Sequence, residues 1–210
     1  YILSTMIPIS FETLIFYMPA ILGSLIVIPI ILIGQNLKLI EVGFFVSFLA
    51  SIAVSYYNRT MVGYYDTDML NIVFPVFLLW SLILALRTNE EKYLLVTALE
   101  IIAYRWWYPQ SYSLEVSFFV LILLYALIYE RKNLFNYQLL SIMLLAMMGL
   151  NSWLRLVIVC CVYIVFKQEK FRRFTFIILA STVGLFFFFF FFINISYQLK
   201  VYVFKDAVEL

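Results

Sequence analysis

Long apolar stretches broken by short polar clusters run through the whole chain. A helix that crosses hydrocarbon needs about 20 apolar residues, within a range of about 17–25. By that measure the pattern predicts segments at 13–34, 39–57, 69–87, 92–107, 113–130, 136–150, 152–166 and 174–194. None shows the strict alternation of a half-buried strand. Backbone groups in lipid are satisfied only in helices or closed barrels, so these runs are read as helices. Three of the eight are short, which suits tilted, packed helices or a broken pair. The expected fold class is therefore all-α: a polytopic helical membrane protein with about 8 transmembrane helices. No repeat of fixed period and no linker marks a second domain, so residues 1–210 are read as one partial transmembrane domain.

Composition strengthens the membrane reading. Of 210 residues, 66% are apolar and 12% are charged, and the mean hydropathy is +1.03. So few charges cannot cover a water-facing surface. A net charge of +2 without a basic stripe excludes a nucleic-acid reading. The chain contains no His, which removes imidazole-based catalysis and the commonest zinc sites. Cys160 and Cys161 are neighbours in an apolar run and read as small buried hydrophobes. The run Phe186 to Phe192 reads as lipid-facing bulk. The opening Tyr1-Ile2-Leu3-Ser4 and the closing Asp206-Ala207-Val208-Glu209-Leu210 both look like cuts in a longer chain.

Positive charges orient the helices. With the first running inward, one set of connections holds Lys38, Arg87, Lys92, Arg131, Lys132, Lys167, Lys170, Arg172 and Arg173, and the other holds Arg59, Arg105, Arg155, Lys200 and Lys205. The richer set belongs on the cytoplasmic side. The loop at 57–68, the turn at 107–112 and the tail at 195–210 then face outward.

Candidate chemistry lies in that first outward loop, Ser55-Tyr56-Tyr57-Asn58-Arg59-Thr60-Met61-Val62-Gly63-Tyr64-Tyr65-Asp66-Thr67-Asp68-Met69-Leu70. Two carboxylates two residues apart can offer oxygens to one hard cation such as Mg²⁺ or Mn²⁺. Arg59 supplies a fixed positive charge nearby, and Gly63 permits a turn. The same Asp-Thr-Asp triplet would equally cap the helix that follows, because acids at a helix start satisfy free amides.

The stretch Tyr56 to Leu70 resembles the second external loop of bacterial oligosaccharyltransferases of the PglB type. The likeness extends from about Phe16-Tyr17-Met18-Pro19-Ala20 to Gln198-Leu199-Lys200, through Ile28-Pro29-Ile30-Ile31-Leu32-Ile33 and Trp106-Trp107-Tyr108-Pro109. The resemblance implies a GT-C type glycosyltransferase membrane domain in the bacterial inner membrane, with the acidic loop facing the periplasm. It implies transfer of a preassembled oligosaccharide from an undecaprenyl-type polyprenyl diphosphate carrier to the Asn amide of Asn-X-Ser/Thr sequons. By the same resemblance Asp66 serves as a ligand of a catalytic divalent metal (Mn²⁺ or Mg²⁺), with Asp68 and Arg59 in its polar network; the two-residue spacing makes Asp68 a candidate ligand of the same ion. It also places Tyr108 near the donor's pyrophosphate, although Trp106, Trp107 and Tyr108 suit an interfacial aromatic belt as well. The family uses a further aspartate from an earlier loop, a glutamate from a long later loop that 195–210 would begin, and a Trp-Trp-Asp motif in a soluble C-terminal domain. None falls within these residues, so the 210-residue piece is expected to be inactive alone.

Other charges carry less. Glu100 is an intramembrane acid that suits either function or pairing with Tyr104. Glu115 and Arg105 flank the outward turn and suit a structural pair. Arg155, beside Asn151 and Ser152, reads as a charge at an outward helix end. Asn58-Arg59-Thr60 and Asn194-Ile195-Ser196 match the glycosylation acceptor pattern and read as incidental. The competing functions are another polyprenyl-dependent membrane glycosyltransferase, a degenerate non-catalytic relative and a transporter. Transport fits least, because transporters place polar groups at mid-membrane in repeated halves.

Overall fold

Ser10 starts the first helix: its hydroxyl oxygen accepts from the Thr13 amide at 3.3 Å and satisfies one free donor of the first turn. In this computed structural model, residues 10–66, 68–168 and 174–188 are described. The helices are α1 (Phe11–Ser24), α2 (Val27–Asn36), α3 (Ile40–Ile52), α4 (Val54–Thr60), α5 (Asp68–Asn71), α6 (Val73–Thr88), α7 (Lys92–Trp107), α8 (Tyr112–Ile128), α9 (Leu134–Ala146), α10 (Ser152–Lys167) and α11 (Thr175–Phe188). A 3₁₀ turn, Pro109–Ser111, leads into α8. No strand occurs among the described residues.

Each of the eight expected segments contains a helix. Among the described residues, three stretches are long and apolar enough to cross a membrane: Phe11–Asn36, Asp68–Thr88 and Pro109–Ile128. The pair α3 and α4 makes a fourth if counted together, but it bends by 63°. The bend falls at Ala53, whose ψ of 125° takes one residue out of the helical region and redirects the chain. Helix therefore resumes at Val54, and the connection expected at 57–68 begins only after Thr60. The expected segment 136–150 likewise runs Leu134–Ala146, because Asn133 caps it early by accepting from the Phe135 amide at 3.1 Å. Several expectations lie outside the described residues: the basic cluster beyond Gln168, residues 189–194, the tail at 195–210 with Lys200, Lys205 and Asp206, and the sequon at Asn194.

The chain divides into two compact units. The first comprises residues up to Asn89 together with Ala103–Ser111. In it α2 and α3 form a hairpin turned at Lys38, which takes φ 61°. Gly34 and Gly43 meet across this hairpin: a methyl on Gly34 would lie 2.7 Å from the Gly43 Cα. Small residues let membrane helices approach this closely. Arg87 near the end of α6 donates to the Asn36 carbonyl, placing a cation at the negative end of α2. Ile26, Tyr56 and Val73 form a buried cluster that joins the start of α2, α4 and α6. In the full-length protein, Gly34→Leu is expected to cost about 1–3 kcal/mol through overpacking. Unfolding of the purified protein in mixed micelles measures the loss, with Ile28→Leu, at an exposed position of α2, as the neutral control.

The second unit comprises Glu90–Ile102 and the described residues from Tyr112 onward. Every residue of α9 from Phe135 to Ala146 is buried, and α9 packs against α8 and α10. Two of its polar side chains bond to neighbours: Ser141 donates to the Tyr137 carbonyl at 2.8 Å, and Gln138 donates to the Thr175 hydroxyl at 3.4 Å. Arg155, read as a charge at an outward helix end, lies in the first turn of α10 and is buried. It donates to the Ala146 carbonyl and to the Ser152 hydroxyl, each at 3.0 Å, and so caps the negative end of α9. Cys161 corrects the sequence reading: it is exposed on α10 while Cys160 is half-buried, because neighbours on a helix point about 100° apart.

Glu130 organises the connection between α8 and α9. Its carboxylate accepts from Asn133 at 2.8 Å and from Asn136 and Tyr125 at 3.0 Å each. These donors, Asn133 first, hold its pKa below the ordinary glutamate value. A lowered folded-state value stabilises the fold above the ordinary glutamate range, and that contribution is lost as pH falls through the lowered value. Glu130→Gln is expected to flatten this part of the pH dependence. Unfolding measured between neutral pH and pH about 3 checks it.

Candidate functional site

The candidate site lies in the first unit, where α4 delivers Arg59 to the connection that α5 closes. Helix α4 is short, and its last turn carries Arg59 on an exposed face while Tyr56 and Thr60 are buried. The Asn58-Arg59-Thr60 pattern is thus helical, with its threonine turned inward. After Thr60 the chain turns at Gly63, whose φ of +87° suits a residue without a Cβ. The Gly63 amide donates to the Phe16 carbonyl at 2.8 Å, tying the connection to α1. Tyr57, Tyr64 and Tyr65 are exposed along and just before it. Such aromatics suit the level of lipid headgroups.

Asp66 is exposed, and its backbone carbonyl accepts from the Met69 amide at 3.5 Å. Asp68 is the first residue of α5 and forms an ion pair with Arg59 through Oδ2 and Nη1. The partners differ in exposure: the Arg59 side chain is 63% exposed and that of Asp68 17%. Asp68 is thus the sheltered member of the pair, and Arg59 covers it from outside.

Tyr108 is linked to α5 through Tyr104. It follows α7, and its amide donates to the Tyr104 carbonyl at 2.7 Å. The rings of Tyr104 and Tyr108 stack with centroids 6.4 Å apart, and Tyr104 stacks on Phe74 at 5.7 Å. The Tyr104 hydroxyl donates to Asn71 Oδ1 at 3.0 Å. Asn71 lies three residues after Asp68 in α5, so the aromatic turn and the acidic connection are fixed to the same short helix. The Tyr108 hydroxyl donates to Gln110 Oε1 at 3.1 Å. Sequence reasoning missed Tyr104 and Asn71 as site supports. The available signal was spacing: Tyr104 and Tyr108 share a helix face at i, i+4, and Asp68 and Asn71 at i, i+3.

The structure thus brings Arg59 and Asp68 together and couples Tyr108 to them through Tyr104 and Asn71. As a donor set, Asp66 and Asp68 offer hard carboxylate oxygens of the kind that Mg²⁺ and Mn²⁺ take. Among the described residues, no three His, Cys, Asp or Glu side chains gather to hold a metal. Two acids fall short of the roughly six donors an octahedral ion prefers, so an ion here would need ligands besides these two.

Comparison with known proteins adds an independent line. A family model described as oligosaccharyl transferase STT3, N-terminal, matches residues 1–210. The chain is 39% identical over 210 residues to the undecaprenyl-diphosphooligosaccharide–protein glycotransferase of Campylobacter jejuni strain RM1221, covering 98% of this chain and 29% of that protein. The protein of the same name from Campylobacter jejuni serotype O:2 is also 39% identical, over 209 residues. A dolichyl-phosphooligosaccharide-protein glycotransferase of Methanococcus voltae is 30% identical over 122 residues, covering 52% of this chain. The chain spans 29% of the length of the Campylobacter relatives.

Proposed function

Because this chain belongs to the oligosaccharyl transferase STT3 family, we propose that it is membrane-embedded machinery of a protein that transfers an oligosaccharide from a polyprenyl diphosphate carrier to the Asn amide of Asn-X-Ser/Thr sequons. The observation that carries the reading is the Arg59–Asp68 ion pair beside exposed Asp66, at the end of an apolar span. All eight expected stretches cross the inner membrane, the short α9 shielded by its neighbours, and the Met61–Asp66 connection faces the periplasm.

Each site residue then has a task. Asp66 is a ligand of a divalent ion, Mn²⁺ or Mg²⁺, and Asp68 offers the same ion the oxygen that Arg59 does not occupy. Such an ion, when bound, would offset the negative charge that grows on the departing pyrophosphate. Arg59 keeps its charge at every working pH and fixes Asp68 in one rotamer. The Tyr108 hydroxyl, held beside the site by the Tyr104 stack, turns from Gln110 to donate to a phosphate oxygen of the lipid-linked donor. The acceptor amide nitrogen is a poor nucleophile because its lone pair is delocalised into the carbonyl. Carboxylates aimed at the amide N–H groups weaken that delocalisation, which is electrostatic catalysis by preorganised groups.

The test uses the full-length protein in detergent, an undecaprenyl diphosphate-linked oligosaccharide and a fluorescent acceptor peptide. The expected result is a glycopeptide with the sequon peptide and none when its Asn is replaced by Gln. Unmodified peptide under all conditions, with added Mn²⁺ or Mg²⁺, overturns the reading.

A further inference from the structure

Arg59 meets Asp68 from the last turn of α4, whose direction after Ala53 is held by packing against neighbouring elements. Two contacts to α1 belong to that packing, beside the Ile26–Tyr56–Val73 cluster. The Tyr56 hydroxyl is buried and donates to the Gly23 carbonyl at 2.5 Å, across 33 residues of chain. That carbonyl lies in the last turn of α1, where the helix breaks before α2 and also accepts the Ile26 amide at 3.3 Å. One turn further along α4, Thr60 occupies the space a side chain on Gly23 would need: an added methyl would lie 2.6 Å from the Thr60 Cβ. The Thr60 hydroxyl is itself fixed, donating to the Tyr56 carbonyl at 3.0 Å.

A cavity of about 350 Å³ borders this contact, lined among others by Ser24, Ser51, Tyr57 and Met61. The space gives α4 room to swing about Ala53 once its hold on α1 is lost. We infer that Tyr56, with Gly23 and Thr60, is a positioning residue that fixes α4 against the break in α1 and thereby sets Arg59 on Asp68. This inference rests on the proposed function for its catalytic consequence, but its geometric content stands without it.

Disulfide trapping tests the geometry in the full-length protein. With Cys160→Ser and Cys161→Ser as background, Arg59→Cys and Asp68→Cys report how often the two positions meet. Trapping is expected to slow about 10-fold when Tyr56→Phe is added, and likewise with Gly23→Ala, whose methyl displaces Thr60. Thr60→Gly added to Gly23→Ala is expected to restore most of the rate. Unchanged trapping in both Tyr56→Phe and Gly23→Ala overturns the inference.

Glycan transfer supplies the second readout, with Arg59 and Asp68 intact. Tyr56→Phe is expected to lower kcat about 10-fold, within the range lost when an outer support of a site is removed, while KM for the peptide changes less than about twofold. The same substitution in an Arg59→Ala background is expected to cost little more, because Tyr56 acts through Arg59. Equal losses in both backgrounds overturn the positioning role. If trapping slows yet Arg59→Ala transfers glycan normally, the anchoring of α4 is supported and the catalytic role of Arg59 is overturned.

Discussion

Asp66→Ala in the full-length protein is expected to lower glycan transfer by roughly 100-fold or more, the scale lost with one preorganised charged group at a reacting centre. Expression and membrane insertion should be unaffected, because Asp66 is exposed in a connection rather than buried in a helix. Asp66→Asn keeps the shape and one oxygen but removes the charge, so it should recover only a small part of the rate. Chelation of the wild-type protein should produce the same loss, reversed by adding Mn²⁺ or Mg²⁺ in excess. In the Asp66→Ala protein the chelator should have little left to remove. Initial rates with a fluorescent sequon peptide measure all four arms, and normal turnover by Asp66→Ala overturns the ligand assignment.

Arg59→Ala is expected to separate activity from stability. An exposed ion pair contributes little to folding because water and salt screen it, and the Arg59 side chain is 63% exposed. The unfolding midpoint should therefore barely move. Transfer should nonetheless fall about 10–100-fold, because Asp68 loses the partner that orients it. Arg59→Lys preserves the charge but replaces a planar guanidinium with a compact ammonium, so its rate should lie between the two. A large fall in stability with a normal rate would reverse the interpretation and make the pair structural.

The helices were legible because hydrocarbon imposes a minimum apolar length that shows directly in the sequence. Their interruptions were not. One extended residue, Ala53, bends α3 from α4 by 63° without altering hydropathy. The break between α1 and α2 at Leu25 and Ile26 is just as silent, since both residues are apolar. In the candidate site, Arg59, Asp66, Asp68 and Tyr108 could be named because charge and aromatic clusters stand out against an apolar chain. Their supports were hidden: Tyr104 and Asn71 belong to no motif, and their hydrogen bond joins residues 33 apart. The partner of Arg155 was hidden for a related reason: α9 ends at Ala146 rather than at 150 and so turns its carbonyl toward the guanidinium.

Helix α9 has a consequence for how this protein tolerates different lipids. Its 13 residues rise only about 20 Å, against a hydrocarbon thickness of about 30 Å. Since protein surrounds it on every side from Phe135 to Ala146, acyl chains never grip it. Shortening or lengthening those chains would load the outward-facing residues of α8, such as Leu121, Leu124 and Ile128, and leave α9 unstretched. Its two ends are held by the capping bonds of Asn133 and Arg155, so a change in bilayer thickness would reach α9 only through the helices packed on it.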